Sequence, residues 1–167
     1  MHRKSLLFFL LLMVTFSSID ANSILNNETE LFSSVTQKKV ANLDFNYNEL
    51  QVDKTVLKAI NIEYPEELHI IIPGLKNNQI EVHLFKHELL TDDFSLTSSD
   101  GDTLNYNQGQ YYRGFDSHGG IVAFSFFKDE LVGLISQKGG GTINIGLQLD
   151  NSNNDIYVMY DDSTVES

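Results

Sequence analysis

Between Gln110 and Leu149 the chain alternates short apolar runs with turn residues so regularly that few folds other than an antiparallel β-meander can accommodate it. A run from Gln110 to Phe115 is cut by Asp116-Ser117-His118-Gly119-Gly120, which supply positive φ and local side-chain hydrogen bonds suited to reversing a strand. Ile121 to Phe127 is predicted as the next strand. Val122, Phe124 and Phe126 would fill one face and Ile121, Ala123 and Phe127 the other, the pattern of an interior strand held between two layers. Lys128-Asp129-Glu130 forms the following hairpin tip, Leu131 to Ser136 returns, and Gly139-Gly140-Gly141 turns the chain into Thr142 to Leu149. In that last run Ile143, Ile145, Leu147 and Leu149 face a core, while Thr142, Asn144 and Gln148 face away. A slip of one residue would put four large apolar side chains in water.

Upstream, His2-Arg3-Lys4, the apolar run Leu6 to Phe16 and the close Ser17-Ser18-Ile19-Asp20-Ala21 read as a secretory signal peptide (1–21) cleaved between Ala21 and Asn22. The apolar run is about half the roughly twenty residues a membrane-spanning helix needs. Residues 22–42 are polar and aperiodic and are expected to form a loosely attached arm. From Asn42 to Val52 the chain alternates through Leu43, Phe45, Tyr47, Leu50 and Val52, an expected edge strand. Asp53 can N-cap a short helix, Lys54 to Ile60, that packs through Val56, Leu57 and Ile60. Pro65 ends the helical stretch. Leu68 to Ile72 and Gln79 to Phe85 form a hairpin around Pro73-Gly74, with Ile80, Val82 and Leu84 inward and Glu81 and His83 outward. Phe94 to Thr97, Thr103 to Tyr106 and Asp155 to Tyr160 complete nine or ten short strands. The expected fold is mainly β: a β domain over 43–160, an antiparallel sandwich or barrel-like meander with one short helix, followed by an acidic exit linker, 161–167.

The chain has 167 residues, a formal charge of −12 and no cysteine. That charge opposes nucleic-acid phosphates, and no basic run beyond Lys38-Lys39 compensates. With no thiols there is no disulfide and no lipid attachment at the leader, so packing alone must hold a secreted domain, expected to be monomeric and free of the membrane once the leader is removed.

No catalytic residue and no cofactor are expected. His87-Glu88-Leu89-Leu90-Thr91 lacks the second histidine of the zinc-protease helix. His83 and His87, four apart on a strand, would stand about 13 Å from one another, too far for one metal. Asp92-Asp93 and Asp100-Gly101-Asp102 are hard oxygen clusters, yet they lack the alternating ladder of a calcium loop and suit turns equally well. Gly139-Gly140-Gly141 has no Lys-Ser or Lys-Thr after it to hold a phosphate, and Ser117-His118 and Ser136 lack a nucleophile elbow. Tyr111, Tyr112 and Arg113 offer an aromatic and cationic cluster for contact or for packing.

The order Tyr-Tyr-Arg-Gly, turn, Ile-Val-Ala-Phe-Ser, Leu-Val-Gly-Leu-Ile-Ser, glycine turn, Ile-Asn-Ile-Gly-Leu resembles the propeptide domain of secreted reprolysin-type zinc metalloproteases, found ahead of the catalytic domain in the ADAM proteases and in many bacterial enzymes. The matching positions are Tyr112, Arg113, Gly114, Val122, Ala123, Ser125, Leu131, Gly133, Ile135 and Gly146, and the segment His87 to Leu96 extends the resemblance to roughly half of the chain. The resemblance implies a domain that assists folding of a tethered protease catalytic domain, its partner, and keeps it latent. The zinc would belong to that partner. Many such propeptides block the zinc with a thiolate; here, with no thiol, the exit segment that holds Asp161 and Asp162 is the candidate nearest in sequence to where a protease would follow, and those two carboxylates are the candidate zinc-blocking groups. The competing reading is a free-standing secreted β-sandwich that binds carbohydrate or a surface partner.

Overall fold

The computed structural model describes residues 28–39, 46–74, 78–104, 106, 108–148 and 156–165. The signal-peptide expectation, Leu43, Phe45, Leu149 and Asp155 lie outside them. The strands, in chain order, are β1 (Thr29–Glu30), β2 (Phe32–Lys39), β3 (Asn46–Val52), β4 (Glu67–Pro73), β5 (Gln79–Lys86), β6 (Leu96–Thr97), β7 (Thr103–Leu104), β8 (Gln110–Asp116), β9 (Ile121–Phe126), β10 (Leu131–Ser136), β11 (Thr142–Leu147) and β12 (Ile156–Asp161). Among the described residues one α-helix, α1 (Lys54–Glu63), joins β3 to β4. Ten strands form one sheet in the order β1-β4-β5-β8-β9-β10-β11-β12-β3-β2, and β6 and β7 pair separately.

The two ends of that order, β1 and β2, are a single run of chain joined through Leu31. The sheet therefore curls until it nearly closes into a barrel. Counting β1 and β2 as one wall gives nine walls, and an odd ring cannot alternate direction all the way round. One neighbouring pair must run parallel, and it is β1 with β4, Thr29 opposite Ile70 and Glu30 opposite Ile71. Every other pair is antiparallel. Leu31 sits fully buried where the run leaves β4 for β3, and its carbonyl accepts from the Asp53 amide at 2.9 Å. Across the same seam the Asn48 side-chain amide donates to the Gly74 carbonyl at 3.1 Å.

Alternation places one side chain in two inside. Leu50, Leu68, Ile70, Ile72, Val82, Leu84, Tyr112, Val122, Phe124, Phe126, Leu131, Ile135, Ile143, Ile145, Tyr157 and Met159 form one core. Its polar atoms are paired: the Tyr112 hydroxyl donates to the Pro65 carbonyl at 2.8 Å, and the Tyr157 hydroxyl accepts from the Leu131 amide at 3.1 Å. Two glycines let the walls approach. A Cβ on Gly114 would collide with the His83 carbonyl oxygen, and one on Gly133 would stand 2.5 Å from the Phe124 ring.

Helix α1 begins as its sequence dictates. The Asp53 carboxylate accepts from the Thr55 amide at 2.8 Å and the Val56 amide at 3.2 Å, and Val56, Leu57, Ala59 and Ile60 are buried. It ends at Tyr64, whose φ of 44° is left-handed. That conformation costs roughly 1–2 kcal/mol for a residue with a Cβ. It sets the Tyr64 ring edge-on to Tyr112, centroids 5.7 Å apart, with the Lys86 ammonium 4.2 Å from the Tyr64 centroid.

The expected architecture and most strand positions hold, and four expectations are corrected. Residues 29–39, expected within a loose arm, supply β1 and β2 and close the sheet. The expected edge strand β3 lies between β2 and β12. The expected linker is folded at least to Val165: Asp161 finishes β12, and a single 3-10 turn, Asp162–Thr164, packs on β11. Finally, β9 is covered on one face only, because a single closed sheet has one interior and no second layer. Val122, Phe124 and Phe126 are buried, whereas Ile121 is exposed and Ala123 half-exposed.

Truncating Phe124 to Ala should cost about 3–5 kcal/mol, and Leu31→Ala about 2–5 kcal/mol. Denaturant titration measures both. A Leu31→Ala variant as stable as the parent would mean that the closing run contributes nothing to the barrel.

Candidate functional site

The outward side chains of β4, β5, β8, β9, β10 and β11 line up across strands. One row runs His69, His83, Phe115, Ile121, Ser136, Thr142, and the next runs Glu67, Phe85, Arg113, Ala123, Leu134, Asn144. Period-two geometry forces this: with Val82, Leu84, Tyr112, Val122 and Phe124 inside, their chain neighbours must point out. Unlike the usual solvent face of a barrel, these rows are rich in apolar groups. Ile121 is 65 % exposed, Phe115 57 %, Leu134 43 % and Phe85 39 %, and Val132, opposite Ser125 in the adjoining row, is 46 % exposed. Apolar side chains exposed side by side on neighbouring strands mark a surface suited to protein contact.

Imidazoles border the apolar group. The His83 ring lies 4.6 Å from the Phe85 ring and 5.9 Å from the His69 ring, and its Nε2 is 3.3 Å from a Glu67 carboxylate oxygen. A shallow cavity of about 420 Å³ lies among His69, Glu81, His83, Phe85 and Phe115. The hairpin beside it is rigid. Asp116 is buried and its Oδ1 accepts from the Gly120 amide at 2.6 Å and the His118 amide at 2.9 Å, an Asx-type turn.

That turn also decides the fate of Asp116-Ser117-His118 as a hydrolytic unit. Ser117 Oγ is 3.3 Å from His118 Nδ1, but the Asp116 oxygen serves backbone amides rather than orienting the imidazole. The Tyr111, Tyr112 and Arg113 cluster is divided by alternation: Tyr112 enters the core, Arg113 is exposed, and the Tyr111 hydroxyl meets that of Tyr106 at 3.5 Å. This hydrogen bond raises the Tyr111 phenol above its ordinary pKa. Of the other positions that carry the resemblance, Gly114, Val122, Leu131, Gly133 and Ile135 are buried, whereas Ala123, Ser125 and Gly146 are half-exposed.

His87 and Glu88 are exposed beyond β5, with the His87 amide on the Tyr111 carbonyl at 2.8 Å. Asp92 and Asp93 form a turn in which the Thr91 hydroxyl holds the Asp93 carboxyl below its ordinary pKa. Asp100 and Asp102 occupy the β6–β7 turn, where the Asp102 carbonyl accepts from the Ser98 amide. Among the described residues no three His, Asp or Glu side chains stand close enough to hold one metal ion. Asp161 and Asp162 are tied into the chain: Asp161 Oδ1 accepts from the Ser163 amide at 2.9 Å and its hydroxyl at 2.7 Å, and Asp162 Oδ1 accepts from the Thr142 amide at 2.6 Å.

Sequence reasoning missed the apolar outer face, although its signal was present. The both-sided apolar pattern of Ile121 to Phe127 suits a strand between two layers, whereas on a barrel the outer half of that pattern faces solvent. No helix among the described residues is long and apolar enough to cross a membrane. No protein-family model, curated protein or solved structure matches the chain.

Two outcomes follow from this geometry. Melting followed by circular dichroism should be the same with and without EDTA or reductant; a large drop on chelation would restore a metal to Asp92, Asp93, Asp100 and Asp102. The second concerns Tyr112. Burial, reinforced by Tyr64 and Glu66, raises its phenol far above the ordinary value, so it binds its proton more tightly folded than unfolded. Its contribution to stability is therefore complete below the unfolded pKa of about 10 and is lost as pH rises beyond it. Tyr112→Phe should flatten this alkaline loss, at the expense of about 1 kcal/mol for the hydrogen bond to Pro65. Equal alkaline slopes in parent and variant would contradict the assignment.

Proposed function

We propose that this chain is the propeptide region of a secreted reprolysin-type zinc metalloprotease, and that it holds its protease through the apolar outer face of β5, β8, β9 and β10. The observation that carries the reading is that face itself. Phe115, Ile121, Val132 and Leu134 lie on the same three strands as most of the residues that carry the family resemblance. An exposed apolar group that the barrel cannot cover is suited to contact with a protein neighbour.

The latency mechanism in this reading is steric. The chain has no thiol for the zinc, and the Oδ1 atoms of Asp161 and Asp162 are occupied by local amides, so occlusion by the outer face is the principal means. Tethering makes this effective: a linked domain acts at a millimolar effective concentration, which vanishes when the link is cut. A face of this kind then needs an affinity only on the order of micromolar to keep the tethered enzyme closed and to release it after cleavage. The zinc and the hydrolytic chemistry remain with the partner.

Titrating the purified chain into a reprolysin-type catalytic domain with a fluorogenic peptide tests the reading. Inhibition on the order of micromolar is expected, and Phe115→Asp/Leu134→Asp should weaken it at least about tenfold without lowering the melting temperature. If the parent fails to inhibit up to high micromolar and a tethered precursor is fully active, the propeptide reading falls and the secreted binding module stands.

A further inference from the structure

We propose that the cleft between the β6–β7 ribbon and the barrel rim at Tyr64 and Gln110 binds an uncharged saccharide. The cleft encloses about 680 Å³, within the range of small-molecule sites. Its outer wall comes from the connection between β5 and β8. Those strands are antiparallel neighbours, Lys86 opposite Tyr112, so a hairpin of about two to five residues could join them. Residues 87–109 are used instead, with β6 and β7 among them. Long connections carried on a rigid sheet are where binding surfaces concentrate.

The apolar groups of this connection stay outside the core. Leu96 and Leu104 pair across β6 and β7, the Phe94 and Tyr106 rings meet edge-on with centroids 5.9 Å apart, and all four side chains line the cleft. Each is 40–46 % exposed. An aromatic pair and a leucine pair held open on one cleft mark a contact surface rather than packing. Opposite them stands Tyr64, among the described residues the one non-glycine residue with a positive φ. Backbone strain of that kind collects at ligand sites.

The polar lining sets the charge of the ligand and the hydrogen bonds it must supply. Glu88 and Asp92 bring carboxylates, and no lysine, arginine or histidine is among the described residues that line the cleft. Anions are repelled. A cation meets the protein's own: the Lys86 ammonium already stands 4.2 Å from the Tyr64 centroid, and the Glu66 carboxylate accepts from it at 3.2 Å. In the rim Gln110 donates from Nε2 to the Asn61 carbonyl at 2.8 Å, while its Oε1 accepts from no protein group. Carboxylates and an amide oxygen call for donors, and the rings call for a ligand with apolar faces. A pyranose is neutral and has both, with C–H groups on its ring faces and hydroxyl donors around its edge. The cleft shares no residue with the apolar outer face, so the proposal does not depend on the propeptide reading.

Cellohexaose, maltohexaose and chitotriose, each titrated into the purified chain and followed by the amide chemical shifts of Thr91, Leu96, Tyr106 and Gln110, test the proposal, with glucuronate as the anionic probe and argininamide as the cationic one. At least one of the three saccharides should bind with a Kd of roughly 1 mM or tighter, at least about tenfold better than either charged probe. Phe94→Ala/Tyr106→Ala should weaken that saccharide at least about tenfold at an unchanged melting temperature. Glu88→Ala/Asp92→Ala, which leaves the rings in place, should weaken it too and serves if the ring variant melts early. No shifts with any of the three saccharides, equal binding of glucuronate or argininamide, or undiminished saccharide binding by a folded variant would each overturn it.

Discussion

The closing of the sheet by residues 29–39 is the constraint on which the rest depends. A nine-walled ring without that run would leave two unpaired strand edges, β4 and β3, each a row of hydrogen-bonding groups open to another chain. The run covers both edges, changing partner at Leu31, and parity makes the β1–β4 contact the one parallel pair. Closure also creates a single interior. Tyr112, Phe124, Phe126 and Tyr157 can be fully buried together because every wall turns the same set of residues inward.

That single interior explains the main surface feature. A strand such as β9, apolar at Ile121 and Ala123 as well as at Val122 and Phe124, can satisfy only half of its apolar residues within one closed sheet. The remainder, aligned with Phe115 and Leu134 by the register, must wait for a partner or stay in water. The surface proposed to hold a protease is thus a direct product of barrel geometry acting on a doubly apolar strand.

The residues that carry the family resemblance divide the same way. Gly114 and Gly133 make room for the His83 carbonyl and the Phe124 ring, and Val122, Leu131 and Ile135 fill the core, so much of that pattern describes how a tight barrel is packed. Arg113, Ala123 and Ser125 point outward and are free to serve recognition.

Local chemistry wrote much of the fold into the sequence. Asp53 had to cap a helix, Pro65 to end it, Asp116 and its glycines to turn a hairpin, and the alternation from Thr142 to Leu147 to put Ile143 and Ile145 inside, because each depends on neighbours within a few residues. Other features depended on partners far along the chain. Whether 29–39 was an arm or a strand, whether β3 was an edge, and whether Ile121 met a second layer or solvent were decided by pairings such as Thr29 with Ile70 and Tyr157 with Leu50, which no local pattern encodes.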